Sequence, residues 1–223
     1  MFPYVDVHTH QPCGRAIELT AFQTPDKYEG FCSLGIHPWH TSELTQEQAE
    51  QELRMVESAK VAAIGEIGAD TLRGGTMEWQ LELLERQLQI AQHRELPVII
   101  HSVKAFEPIM NCLERHTLRA VVFHSWIGSE QQATQAIKRG YRLSFGPRSL
   151  ASSRNIATLR SIAPQALLLE SDDSGVPIEQ VYSQVAQLRS VSEEQLREEV
   201  FNNFKDIWQN GWSVPSYCSV TTK

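Results

Sequence analysis

The chain has 223 residues, 41% hydrophobic and 21% charged, which is enough apolar material for a core and too little charge for a disordered chain. Its longest apolar runs, residues 96–100 and 166–169, fall far short of the roughly 20 residues that cross a bilayer, so a membrane-spanning helix is excluded. Lys and Arg number 20 against 27 Asp and Glu, a net charge of −7, so any nucleic-acid role has to rest on a local site.

From the amino terminus, MFPYVDVHTH has no basic region and no apolar stretch before Asp6, which sets the expectation of a cytoplasmic chain without a secretory leader. Short apolar runs rich in β-branched residues follow at 4–8, 16–22, 31–37, 61–66, 97–101, 120–124, 141–145 and 167–172, and read as strands. Between and after them, amphipathic stretches at 45–59, 77–94, 106–115, 130–139, 150–162, 178–188 and 193–209 read as helices. In 77–94, Trp79, Leu83, Leu84, Leu88 and Ala91 fall on one face, while Glu78, Glu82, Glu85 and Arg86 take the rest. This alternation predicts an α/β fold, a compact (β/α)₈ TIM barrel, with about 27 residues per unit against a norm of roughly 250 residues for the whole. Only residues 9–15 and 23–30 separate the first three runs, so the first two connections are expected to be shortened and to lack full helices. Residues 1–212 are expected to form one domain and 213–223 a loosely ordered tail. The four cysteines form no C-x-x-C pair, which suits free thiols in a reducing compartment.

The histidines and carboxylates collect at one end of these strands. His8 and His10 close the first run, His37 the third, Glu66 the fourth, His101 the fifth, His124 the sixth and Asp172 the eighth. In a barrel the carboxyl ends converge on one mouth, so residues spread over more than 160 positions become neighbours. His8 and His10, at i and i+2, point to the same side of a strand and can share one divalent ion. Glu66 and Asp172 end otherwise apolar strands, where a cation is the most direct compensation for a buried charge. Imidazole and carboxylate donors suit Zn²⁺, Mn²⁺ or Fe²⁺ better than Mg²⁺.

The motifs YVDVHTH, GIHPWH, AIGEIGAD, LPVIIHSVKA, VVFHSWIGS, GYRLSFG and LLLESDD stand in order along the chain. Together they resemble the TatD family of metal-dependent hydrolases over residues 6–173, and FNNFKDIW is similar to that family's C-terminal helix. The resemblance implies two divalent ions, Zn²⁺, Mn²⁺ or Mg²⁺, the first held by His8, His10 and Asp172, the second by His101 and His124, with Glu66 bridging them. Two such ions about 3.5 to 4 Å apart can bind a water between them and hold a phosphoryl oxygen against it. The implied reaction is hydrolysis of phosphodiester bonds at DNA ends, with Asp172 also the general base. His37 reads as a neighbour of the substrate phosphate or as a structural imidazole, and His40 as a surface residue.

The departures from the family pattern lie on the substrate side. Val103, with Lys104 beside it, stands where an arginine is common; Trp39 stands where a second histidine is usual; the leucine and aromatic common around Asp70 are missing; Ser171 and residues 173–175 replace a threonine and a proline-containing turn. None of the six expected ligands is altered. Trp126 reads as a stacking wall for a base or as packing. Asp6 reads as a support for His8 or as a buried carboxylate satisfied by amides. Arg148 and Arg154 read as reaching an anionic substrate or as solvated charges. Hydrolysis of a small phosphoester, amide, ester or lactone is the second functional reading, because a barrel with H-x-H on its first strand also serves that chemistry. Enzymes of that kind often carry a carboxylated lysine where this chain has Glu66. A barrel that binds metal without turnover is the third reading. DNA or a small phosphoester is the expected partner, with no membrane and no obligate protein partner.

Overall fold

Val, Ile and Leu crowd the strands and are buried on both faces, as a parallel sheet wrapped by helices requires. The computed structural model describes residues 2–22 and 31–208. Strands β1 (Val5–Thr9), β2 (Ile17–Phe22), β3 (Cys32–Leu34), β4 (Ala63–Asp70), β5 (Val98–Val103), β6 (Val121–Phe123), β7 (Arg142–Phe145) and β8 (Leu167–Leu169) pair in sequence order, each parallel to the next. The ring closes beyond β8, where the Asp172 amide donates to the His8 carbonyl at 3.0 Å and the His10 amide to the Asp172 carbonyl at 3.2 Å. The result is the expected (β/α)₈ barrel.

The helices outside it are α1 (Gln46–Ser58), α2 (Met77–His93), α3 (Phe106–Leu113), α4 (Glu130–Lys138), α5 (Pro147–Leu150), α6 (Ser153–Ser161), α7 (Ile178–Arg189) and α8 (Glu193–Trp208). Local chemistry starts them: Thr45 with Gln48 and Ser129 with Gln132 form capping boxes at α1 and α4. The apolar stripe read on α2 is buried, apart from Trp79, which is half-buried. Two glutamines join that stripe, and Gln80 spends its amide on the Asp70 backbone, accepting from its N–H at 2.7 Å and donating to its carbonyl at 3.1 Å. At the opposite end of the barrel, the buried Tyr182 hydroxyl accepts from the Val5 amide and donates to the Val5 carbonyl, tying α7 to β1.

Several boundaries differ from expectation. The helix expected at 150–162 is two, because the extended Ser152 (φ −113°, ψ 124°) breaks it and Pro147 starts a separate turn after Gly146. β4 runs on to Asp70, carried by its pairing with β5 as far as Asp70 and Val103. β3 and β8 stop short of His37 and Asp172, which leaves both residues in the loops of the mouth. The first connection, residues 10–16, carries no helix, as expected. The second connection at 23–30, the helix end at 209 and the tail at 213–223 lie outside the described residues. Cys13, Cys32 and Cys112 are free thiols, and Cys218 also lies outside the described residues. Among the described residues no helix is long and apolar enough to cross a membrane.

Candidate metal centre

Period-two geometry turns Asp6 and His8 of β1, and His10 directly after it, to the same side, into the barrel. Opposite them, β4 shifts register against β5 between Ile64 and Ile67 and presents Glu66. His101 ends the inward side of β5, His124 follows β6 directly, and Asp172 enters from the loop after β8 in a left-handed backbone conformation (φ 54°).

Glu66 is the hub. Its Oε1 lies 3.0 Å from His37 Nε2, 2.7 Å from His101 Nδ1 and 2.6 Å from His124 Nε2. Its Oε2 lies 3.2 Å from His8 Nε2 and 3.7 Å from His10 Nε2. Asp172 Oδ1 stands 3.7 Å from the Nε2 atoms of both His8 and His10. All six residues expected as ligands therefore meet, and His37 meets with them. His8, His10 and Asp172 bring one donor atom each within 4.8 Å of one another; so do His8, Glu66 and His124, and so do His37, Glu66 and His101. His101 thus groups with His37 in these sets, a partner the sequence did not suggest for it.

The cluster is buried, and its electrostatics follow from that. Burial alone would push the Glu66 carboxyl up, yet His124, His10 and His101 outweigh it and hold it well below the usual carboxylate range. Burial likewise opposes charge on His124, which Glu66 and Glu170 nonetheless raise well above the usual imidazole value. His101 is raised against burial by Asp70 and Glu66, and His10 mainly by its hydrogen bond to Glu66. His37 goes the other way, lowered by burial despite Glu66. This is a carboxylate that draws protons onto its neighbours, and a divalent cation supplies the same positive charge with fixed geometry. Both His8 ring nitrogens, His124 Nδ1 and both Glu170 oxygens are buried without a hydrogen-bond partner among the described residues. Buried orphans of that kind, on imidazole and carboxylate groups, fit a site for divalent ions.

Three residues of the cluster escaped the sequence reading. Glu170 is fully buried, 3.4 Å from His124 Nδ1, and groups with His124 and Asp172. It stands at i−2 from Asp172, so the alternation that singled out His8 and His10 was the available signal. Asp70, at i+4 from Glu66, lies 3.2 Å from His101 Nε2 and accepts from the Trp39 indole at 2.6 Å. Against burial, His101, Trp39 and the Leu72 amide lower its pKa to about 2. Trp39 was noted only as a departure, and its ring centre lies 4.9 Å from that of His37 and 5.7 Å from that of His101.

Trp126 is the correction. It is 2% exposed, and its ring packs on Phe106 and Phe123, so it offers no face to a base. The cause is Ser125, whose φ of 45° turns the chain back so that the Trp126 amide reaches the Ser144 carbonyl at 2.8 Å. Trp126→Phe is expected to cost about 1–3 kcal/mol of stability in urea unfolding through lost packing volume, with the substrate KM unchanged. A raised KM at unchanged stability would restore the stacking role.

The remaining alternatives also resolve. Asp6 accepts from the Ser171 amide at 3.0 Å, the Ser171 hydroxyl at 2.6 Å and the His8 amide at 3.4 Å, so backbone and hydroxyl donors satisfy it; burial raises its pKa to about 7. Arg148 does reach the centre, with Nε 3.8 Å from Asp172 Oδ2 and Nη2 3.1 and 3.0 Å from the two Asp173 oxygens. Arg154 lies exposed on α6. His40 is half-buried against the His37 ring at 5.8 Å.

Comparison with known proteins follows the same lines. The chain is 35% identical over 158 residues to the metal-dependent hydrolase YjjV of Escherichia coli, a match covering 66% of this chain and 60% of that protein. It is 32% identical over 156 residues to the 3'-5' ssDNA/RNA exonuclease TatD of Erwinia amylovora, again covering 66% of this chain and 60% of the relative. The chain thus spans less than two thirds of the length of both relatives. The crystal structure of E. coli YjjV superposes with a TM-score of 0.79 at 24% identity, covering 92% of this chain and 98% of that one, a likeness of fold. The model of TatD-related DNases matches residues 7–209, and on that match the chain belongs to the TatD family.

Proposed function

We propose that the protein is a divalent-metal-dependent phosphodiesterase that shortens single-stranded DNA from its ends, with two ions, Zn²⁺, Mn²⁺ or Mg²⁺, at the mouth of the barrel. The observation that carries this is the division of Glu66, with Oε2 toward His8 and His10 and Oε1 toward His101 and His124. His8, His10 and Asp172 would hold one ion with Oε2, and His101 and His124 the other with Oε1. Bound there, the ions would supply Lewis-acid polarisation of the phosphoryl oxygens and of a water. The relative named as a 3'-5' ssDNA/RNA exonuclease supports the choice of a polymer end as substrate.

The chain's own groups then divide the work. Asp172 takes the proton of the attacking water on its carboxylate, which the closing bonds to His8 and His10 hold in place. Asp70 orients the His101 ring through the nitrogen turned away from Glu66, and Glu170 places its charge 3.4 Å from the corresponding nitrogen of His124.

End-labelled single-stranded DNA incubated with Mn²⁺ tests the reading, with wild type set beside an identically purified Asp172→Asn variant. Cleavage that needs metal and falls roughly 10²- to 10⁴-fold in the variant is the expected result. Intact DNA with about two ions bound would end the polymer reading and turn the search to small phosphoesters and then amides. Independently, chelation is expected to lower Tm. Metal restored at about 100 times its Kd should return about 2.7 kcal/mol per site.

A further inference from the structure

Trp39 stands at the edge of the centre and is fixed from several sides. His37 caps the 3₁₀ turn Pro38–Ser42 by accepting from the Trp39 amide at 3.1 Å, and the indole N–H donates to Asp70. Over the indole lies the Arg73 guanidinium, its carbon 4.3 Å from the ring centre. Arg73 is exposed, and among the described residues it makes no ion pair. That sets it apart from the other arginines of the mouth, since Arg148 is held by Asp173 and Arg15 lies 3.7 Å from Glu179.

The loop that carries Arg73 is locked to the turn that carries Trp39. The Gln80 side-chain amide donates to the carbonyls of Arg73 and Gly75 at 2.9 Å each, and the Gly75 amide donates to Thr41 Oγ1 at 2.8 Å. Gly74, at φ +88°, sits so close to Pro38 that a Cβ there would meet the Pro38 carbonyl oxygen at 2.1 Å. Leu72, next to Arg73, leaves 64% of its surface in solvent. The pair is therefore pre-organised, with a planar cation held over an aromatic ring and its N–H edge unspent among the described residues.

We propose that Trp39 and Arg73 form a base-stacking subsite beside the metal centre, in which an unpaired nucleobase of a single-stranded end lies on the outer face of the Arg73 guanidinium. Unpaired bases stack on aromatic rings and on arginine planes, and the free guanidinium edge can take an adjacent phosphate oxygen. The subsite touches His37 and His101 through Trp39, so a base held there belongs to the strand being cut. A paired terminal base has first to unstack, which makes single strands the better substrate. This inference rests on the phosphodiesterase reading.

The test separates the two. Arg73→Ala is expected to raise KM for single-stranded DNA roughly tenfold, with kcat within about twofold. Cleavage of a single strand whose terminal nucleotides are abasic, and so offer no ring to stack, stays unchanged, and Arg73→Lys shares the DNA defect because it lacks the plane. In parallel, the metal-loaded protein binds a hydrolysis-resistant phosphorothioate oligonucleotide with terminal 2-aminopurine, whose fluorescence is quenched by stacking. Arg73→Ala loses the quench and Arg154→Ala keeps it. Unchanged KM and quench in Arg73→Ala would overturn the subsite, as would an equal loss on the strand with abasic ends. If wild type leaves DNA intact, the phosphodiesterase reading fails by itself. The quench then decides the subsite, which stands if Arg73→Ala loses it and falls if Arg73→Ala keeps it.

Discussion

Glu66→Gln is expected to release the metal and to lower hydrolysis by roughly 10³-fold, the scale on which one preorganised charge acts at a reacting centre. Glutamine keeps the shape and the strand, so the loss measures charge alone. The single carboxylate lies within 4 Å of nitrogens on five histidines, and no other carboxylate of the centre approaches so many. Without it His8 and His10 keep Asp172, His124 keeps Glu170 and His101 keeps Asp70, but none of these carboxylates lies within 4 Å of more than two of the histidines. His124 would retain only Glu170, and His10 would lose its main raising partner. Metal content by elemental analysis and turnover should fall together. Wild-type content and rate in the variant would show that Glu66 does not join the two sets.

Gly68→Ala is expected to cost about 4 kcal/mol or more, or to prevent folding, because it combines backbone strain with a collision against backbone. Gly68 has φ +145°, and a Cβ there would stand 2.0 Å from the His101 carbonyl oxygen and 3.1 Å from the His101 amide nitrogen. β4 and β5 pair through this point, Gly68 beside His101, so the strand that carries a site histidine must move away. Gly140→Ala separates the two causes, since Gly140 has φ +81° with nothing within 4 Å. It should lose only about 1 kcal/mol in urea unfolding. Equal losses at the two positions would mean that strain alone acts at Gly68 and that the strands can part without cost.

Much of the molecule was legible in the order of its residues. Strand runs and amphipathic helices are local patterns, set by the two periods at which side chains share a face, and eight such units leave little but a barrel. The gathering of side chains at the mouth was legible for the same reason, because His8, His10, Glu66, His101, His124 and Asp172 lie at or near the ends of apolar runs recognisable as strands. What the order of residues could not settle was the direction of side chains once the strands end. Trp126 and Trp39 each follow a histidine of the mouth by two residues, and the sequence reading offered only Trp126 as an aromatic wall. The backbone of the loops decides between them: a left-handed Ser125 folds Trp126 into the core, whereas the turn capped by His37 keeps Trp39 at the rim. Glu170 and Asp70 were hidden for a related reason, since a carboxylate gains its role from the imidazole brought opposite it, and only closure of the barrel brings it there.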